Sequence, residues 1–211
     1  FIKYAEKMLE KMNVDVRLGA VASADEIRAL HPYVVMLCTG STAVLPKSIP
    51  GIDSKQVYTA QDVLTERVQF ENKKIVVAGG GLTGMETAEF LQEKGNEVID
   101  IDMLPGIGLA AFPLVAMDET ARLAASGVRT MPGHKLAEIR ENDVVIEDTA
   151  GYQIEIPCDA VIMCLGVRPV ARLKEELSDL ENVYLLGDAE RAGRRITDAM
   201  HAAFDAAYNL K

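Results

Sequence analysis

The run from Lys74 to Glu86 constrains this chain more than any other segment: an apolar strand passes directly into a glycine turn and then into a helix. Ile75, Val76, Val77 and Ala78 form a continuous apolar stretch, as expected of a strand buried on both faces of a parallel sheet. The turn that follows has the spacing of a dinucleotide-binding loop. Gly79 permits the tight turn, Gly81 lets backbone N–H groups approach a pyrophosphate, and Gly84 allows the helix to pack closely on the strand. Gly80, Leu82 and Thr83 complete the loop as candidate ligand contacts. An anion is the expected guest, because unpaired donors and the helix dipole together favour a phosphate there, the dipole alone by roughly 0.3–1 kcal/mol.

The second half of a βαβ unit follows. A helical run through Met85 to Gln92 stops at Gly95, and Glu97 to Asp102 reads as the next strand. Asp102 closes that strand about 20 residues beyond the glycines, where an acidic side chain accepts hydrogen bonds from the adenosine ribose. A 2′-phosphate would meet this carboxylate, and residues 98–110 hold no Arg or Lys to receive it, so NAD is favoured over NADP. Asp100 points to the same side of the strand and reads as a solvated strand-end carboxylate. A βαβ unit that binds another nucleotide, or nothing, is the alternative.

At 211 residues and 49% hydrophobic, the chain can bury one large core or two small ones. No run approaches the ~20 apolar residues of a membrane span, and nothing resembles a signal peptide, so no membrane partner and a cytoplasmic location are expected. A net charge of −10 argues against nucleic acid, but it does not exclude a dinucleotide, since repulsion is screened beyond roughly 8 Å. Cys38, Cys158 and Cys164 have no paired spacing, so neither a redox disulfide nor a metal site is encoded. Cys38 and Cys164 read as buried strand residues. The chain begins with Phe1 in a helical pattern, which reads as a piece of something longer.

Before the glycine turn, the patterns give a helix near 2–12, a strand Val14 to Leu18, a helix Ala24 to Leu30 and a strand Tyr33 to Cys38. A Pro/Gly linker and a short helix Tyr58 to Glu66 lead to the central unit. After it come a helix Pro113 to Ala125, a strand Val128 to Met131 and three alternating segments near 135–139, 144–148 and 153–156, which read as an antiparallel meander. A buried strand Asp159 to Leu165, a short helix, the segment Asn182 to Ala189 and a helix Thr197 to Leu210 close the chain. The expected class is α/β, with Rossmann-like parallel sheets and a crossover antiparallel β-meander.

Four segments in this order carry a resemblance: Cys38-Thr39-Gly40-Ser41 with Ile49-Pro50-Gly51, the Gly79 to Glu86 turn, Cys164-Leu165-Gly166 with Pro169, and Leu186-Gly187-Asp188-Ala189. Together they resemble the flavin-dependent pyridine nucleotide oxidoreductases, and most of all the C-terminal portion of the Old Yellow Enzyme-like enoate and dienoyl-CoA reductases. The resemblance implies a FAD- and NAD-binding fold divided as 1–55 (partial FAD domain), 56–168 (NAD domain) and 169–211 (return of the FAD domain). It implies that Asp188, beside Gly187, accepts a hydrogen bond from a flavin ribityl hydroxyl. The helix from Thr197 would aim its N-terminus at the flavin. Thr39 and Gly40 would line the crossover between the two domains, Gly166 would be a cofactor-binding residue, and Glu86 would lie near the nicotinamide.

The family's first FAD glycine turn is not in this sequence, and Ala203 stands where the family usually has glycine. The implied parent carries an upstream flavin barrel with FMN and an iron–sulfur cluster, takes electrons from NADH through FAD, and reduces an activated C=C bond. Hydride comes from the cofactor in that scheme, so no catalytic acid or base is required. A non-catalytic ADP-binding or assembly domain is the rival; a Rossmann methyltransferase leaves the meander and Gly187-Asp188 unexplained. His31, His134 and His201 have no ligand partners at metal spacing. Arg191, Arg194 and Arg195 read as a solvated basic loop. Oligomeric state is open.

Overall fold

The computed structural model describes residues 1–109, 111–193 and 195–210. In chain order it runs α1 (Ile2–Lys11), α2 (Ala24–Ala29), β1 (Val35–Leu37), β2 (Ser41–Ala43), β3 (Val57–Thr59), α3 (Ala60–Leu64), β4 (Lys74–Ala78), α4 (Leu82–Glu93), β5 (Glu97–Asp102), α5 (Pro113–Ser126) and β6 (Arg129–Pro132). The meander follows as β7 (His134–Ile139), β8 (Asp143–Asp148) and β9 (Gln153–Pro157). The return comprises β10 (Ala160–Met163), β11 (Val167–Pro169), α6 (Arg172–Glu176), β12 (Val183–Leu185), a 3-10 turn Gly187–Ala189 and α7 (Ile196–Tyr208).

The central sheet is parallel, with strand order β3-β10-β4-β5-β6. Its two faces explain the unbroken apolar run of β4. Ile75 and Val77 pack under Met85, Ala88 and Leu91 of α4, while Val76 and Ala78 pack against Leu136, Val144, Ile146 and Ile156 of the meander. Each such fully buried aliphatic side chain contributes about 1.5–3 kcal/mol, which anchors the strand that delivers the glycine turn. Local signals agree with this frame: Pro113 opens α5, and Gly127, at φ +89°, closes it.

Two smaller units stand beside the sheet: a parallel pair, β1 with β12, and an antiparallel ribbon, β2 with β11. The β1–β12 pair is covered on one side, where Leu37, Leu177 and Val183 pack with Ile27 and Leu173. Leu37 therefore points inward, and Cys38, next along the chain, is exposed. The expectation of a buried Cys38 is corrected; Cys164, at the end of β10, is largely covered.

Three further expectations change. Val14 to Leu18 forms no strand, because no described strand pairs with it, and Val14, Val16 and Leu18 stay exposed. Tyr58 belongs to β3, an edge strand of the sheet, and the helix begins only at Ala60, where Thr59 and Asp62 form a capping box. Asp100 is not solvated: it lies on the helix-covered face of β5 and is 0% exposed.

Candidate functional site

β4 and α4 meet at the glycine turn, and the geometry separates the roles of its glycines. Gly79 has φ +114°, and a Cβ there would lie 2.4 Å from the Cys164 carbonyl oxygen. A Cβ on Gly84 would lie 1.8 Å from the Gly79 carbonyl oxygen, so α4 crosses the strand at a distance that only glycine permits. Gly81 differs: a Cβ there meets no atom within 4 Å. Space in front of the first turn of α4 is thus open to a ligand, and the first N–H groups of a helix have no intrahelical partner. Leu82 and Thr83 are exposed at this mouth. A diphosphate fits what these residues present.

Asp102 closes β5 beside the turn. Its Oδ2 accepts the Gly80 N–H at 2.7 Å and its Oδ1 accepts the Leu104 N–H at 2.8 Å. The carboxylate therefore holds the turn, a structural task that its place in the sequence did not reveal. A carboxylate has about four acceptor sites, so both oxygens keep capacity for ribose hydroxyls. On the same face, neither oxygen of Asp100 has a hydrogen-bond partner among the described residues. Burial, with the Asp102 charge second, pushes the Asp100 carboxyl up to about 7.

A second cluster forms around the ribbon. Thr39 donates its hydroxyl to the Val170 carbonyl, Val170 N–H donates to Gly40 O at 3.0 Å, and Val44 N–H donates to Gly166 O at 3.0 Å. Ser41, on β2, reaches across to donate to Asp188 Oδ2 at 3.0 Å. A Cβ on Gly187 would sit 3.2 Å from Ala199 Cβ, so the 3-10 turn carrying Asp188 packs on the first turns of α7. Thr39, Gly40, Gly166, Gly187 and Asp188 are thereby brought together. The ribbon strands are only three residues long, too short for periodicity to show them, and the role of Ser41 went unread for that reason. The segment Cys164 to Gly166 joins the two clusters, since Cys164 lies against Gly79.

Other candidates fall away or shift. Glu86 is exposed on α4 and close enough to Glu119 to help raise the carboxyl of the latter, whose main cause is burial. His31, His134 and His201 are outside the buried core, and no group of His, Cys, Asp and Glu among the described residues could hold a metal. Arg191 and Arg195 are exposed, while Arg194 lies outside the described residues. Burial pushes the Cys158 thiol up to about 11 and the Cys164 thiol up to about 12, so neither is a nucleophile at neutral pH. A cleft lined by Val63, Phe70, Phe90 and Lys94 lies at the opposite end of α4 from the glycines. Its Lys94 is paired with Glu66 at 3.2 Å. No helix among the described residues is long and apolar enough to cross a membrane.

Residues 3–206, nearly the whole chain, match the family model described as pyridine nucleotide-disulphide oxidoreductase. The chain belongs to this family. Among its relatives in that family, the NADH oxidase of Thermoanaerobacter brockii is 35% identical over 215 residues, covering 100% of this chain and 33% of the relative. The bilirubin reductase of Mediterraneibacter gnavus is 30% identical over 207 residues, covering 98% of this chain and 32% of the relative. A solved complex of 2-naphthoyl-CoA reductase superposes with a TM-score of 0.89 at 26% identity, over 100% of this chain and 32% of that one. The chain thus spans about a third of the length of these relatives. The fold expectation, parallel Rossmann-like sheet plus antiparallel meander, agrees with family and structure alike.

Proposed function

We propose that this chain is the electron-entry portion of a longer NADH-dependent flavoprotein oxidoreductase, in which residues 56–168 hold NADH and residues 1–55 with 169–211 hold one side of FAD. The observation that carries it is the Gly79 to Gly84 turn, tightly packed at Gly79 and Gly84 but open at Gly81, with Asp102 at its side. When bound, NADH supplies a hydride that FAD accepts. The chain's own residues bind and orient. Amides of the turn and the start of α4 hold the pyrophosphate, with Leu82 and Thr83 at the mouth, and Asp102 accepts the ribose hydroxyls while repelling a 2′-phosphate. Asp188, fixed by Ser41, accepts a hydroxyl of the flavin chain, and the ribbon from Thr39 and Gly40 to Gly166 sets the separation of the two ligands. Glu86 stands on the nicotinamide side.

No side chain has to move a proton for this transfer, which suits a site whose Cys164 thiol is pushed up by burial. The relatives that share this third are an NADH oxidase, a bilirubin reductase and a 2-naphthoyl-CoA reductase. That pattern supports a donor module whose acceptor chemistry lies elsewhere in the polypeptide. An enoate- or enoyl-type C=C bond is the acceptor class we favour, reached through an upstream flavin barrel carrying FMN and an iron–sulfur cluster. Calorimetric titration tests the donor reading: NADH should bind at least tenfold tighter than ADP. Equal affinities would replace it with a non-catalytic ADP-binding domain.

A further inference from the structure

Asp100 has no task in the scheme above, yet its position is costly. It is wholly buried on β5, in register with Val77 of β4 and Thr130 of β6. Val77 lies two residues before Gly79, so Asp100 sits about 7 Å below the glycine turn at ~3.3 Å per strand residue. The groups around it leave a negative charge uncompensated. Asp102 faces it from its own strand and Cys164 from the end of β10, with Thr87 of α4, whose hydroxyl donates to the Thr83 carbonyl at 2.6 Å, beside Cys164. In the helix layer, Arg122 of α5 is engaged by Glu89 of α4 and by Glu119, Lys94 at the far end of α4 is paired with Glu66, and the further carboxylates there, Glu86 and Asp118, add only negative charge. Among the described residues, Asp102 is the charge that acts on Asp100, and it repels.

Resting on the dinucleotide reading, we propose that Asp100 is a positioning carboxyl beneath the glycine turn whose protonated form favours the bound pyrophosphate, so that dinucleotide binding takes up part of a proton from solvent. Two negative phosphates in front of the turn add to the Asp102 charge beside it, and in a poorly solvated interior their field on Asp100 is weakly screened. The neutral acid removes that repulsion. Reciprocity follows: if the ligand favours the protonated form, protonation favours the ligand. The Cys164 thiol, raised to about 12, keeps its proton over the same range and does not compete as the source of the effect.

The test is calorimetric titration of the full chain with NADH at several pH values, each in two buffers of different ionisation enthalpy. The expected result is uptake of about half a proton per NADH near pH 7.5, with affinity falling about tenfold between pH 6 and 8.5. Asp100→Asn should abolish the uptake and hold the affinity near its low-pH value throughout, an effect that a merely structural residue would not produce. If Asp100→Asn does not fold, uptake in the unsubstituted protein decides. NADH binding without uptake, or uptake that persists in Asp100→Asn, overturns this proposal alone. Absence of NADH binding at every pH overturns the dinucleotide reading and this proposal with it.

Discussion

At Asp102 one carboxylate holds the glycine turn and, in the function proposed, also selects the dinucleotide, and substitution should expose both. Asp102→Ala removes two hydrogen bonds from backbone N–H groups to a charged acceptor, each worth about 1.5–3 kcal/mol. It also removes the repulsion of a 2′-phosphate. We expect paired titrations with NADH and NADPH to show their affinities converging, and a thermal melt to show a lower Tm. Unequal affinities that survive the substitution would place cofactor selection elsewhere. Asp100 gives a prediction of opposite sign. Its folded pKa, about 7, lies above the unfolded value of about 3.9, so the folded state binds more protons between them. Stability is therefore fully present below about pH 4, falls as pH rises, and levels off above pH 7, a loss of at most about 4 kcal/mol. Asp100→Leu should raise stability to denaturant at pH 8 and change it little at pH 4.5; a gain of the same size at both would deny that ionisation is the cause.

At the scale of elements, the β4-turn-α4 unit was legible from Lys74 to Asp102 because period, glycine spacing and strand end all agree there. The meander was legible too, since its three segments alternate between turn signals. What escaped was decided by tertiary partners. Val14 to Leu18 has the alternation of a strand but no described neighbour to pair with. Tyr58 has the local pattern of a helix but lies beside β10. The ribbon strands Ser41–Ala43 and Val167–Pro169 are too short to carry a pattern. The glycines make the element-level prediction. Gly84→Ala, with its Cβ forced toward the Gly79 carbonyl, should cost about 1–3 kcal/mol or more of stability and displace α4. Gly81→Ala meets nothing, so its melt should match the parent while NADH binding weakens. A Gly81→Ala protein that binds NADH normally would move the pyrophosphate away from the turn.

Across the whole molecule, two clusters share one connection. The glycine turn with Asp102 and the ribbon with Asp188 are joined through Cys164 to Gly166, so the proposed donor and acceptor sites are built on a common piece of backbone. The glycine turn and Asp102 were readable from the sequence as local signals, whereas Thr39, Gly40, Gly187 and Asp188 were reached only through the family resemblance. The depth of Asp100 and the link from Ser41 to Asp188 were not readable, because burial and cross-strand contact belong to the assembled fold. The central claim is that electrons enter here from NADH and pass to FAD. Anaerobic mixing of the full-length flavoprotein with one equivalent of NADH, followed at the flavin absorbance band, tests it most directly. The account predicts bleaching of the oxidised flavin, faster with NADH than with NADPH; an unchanged spectrum from protein that holds FAD would contradict it.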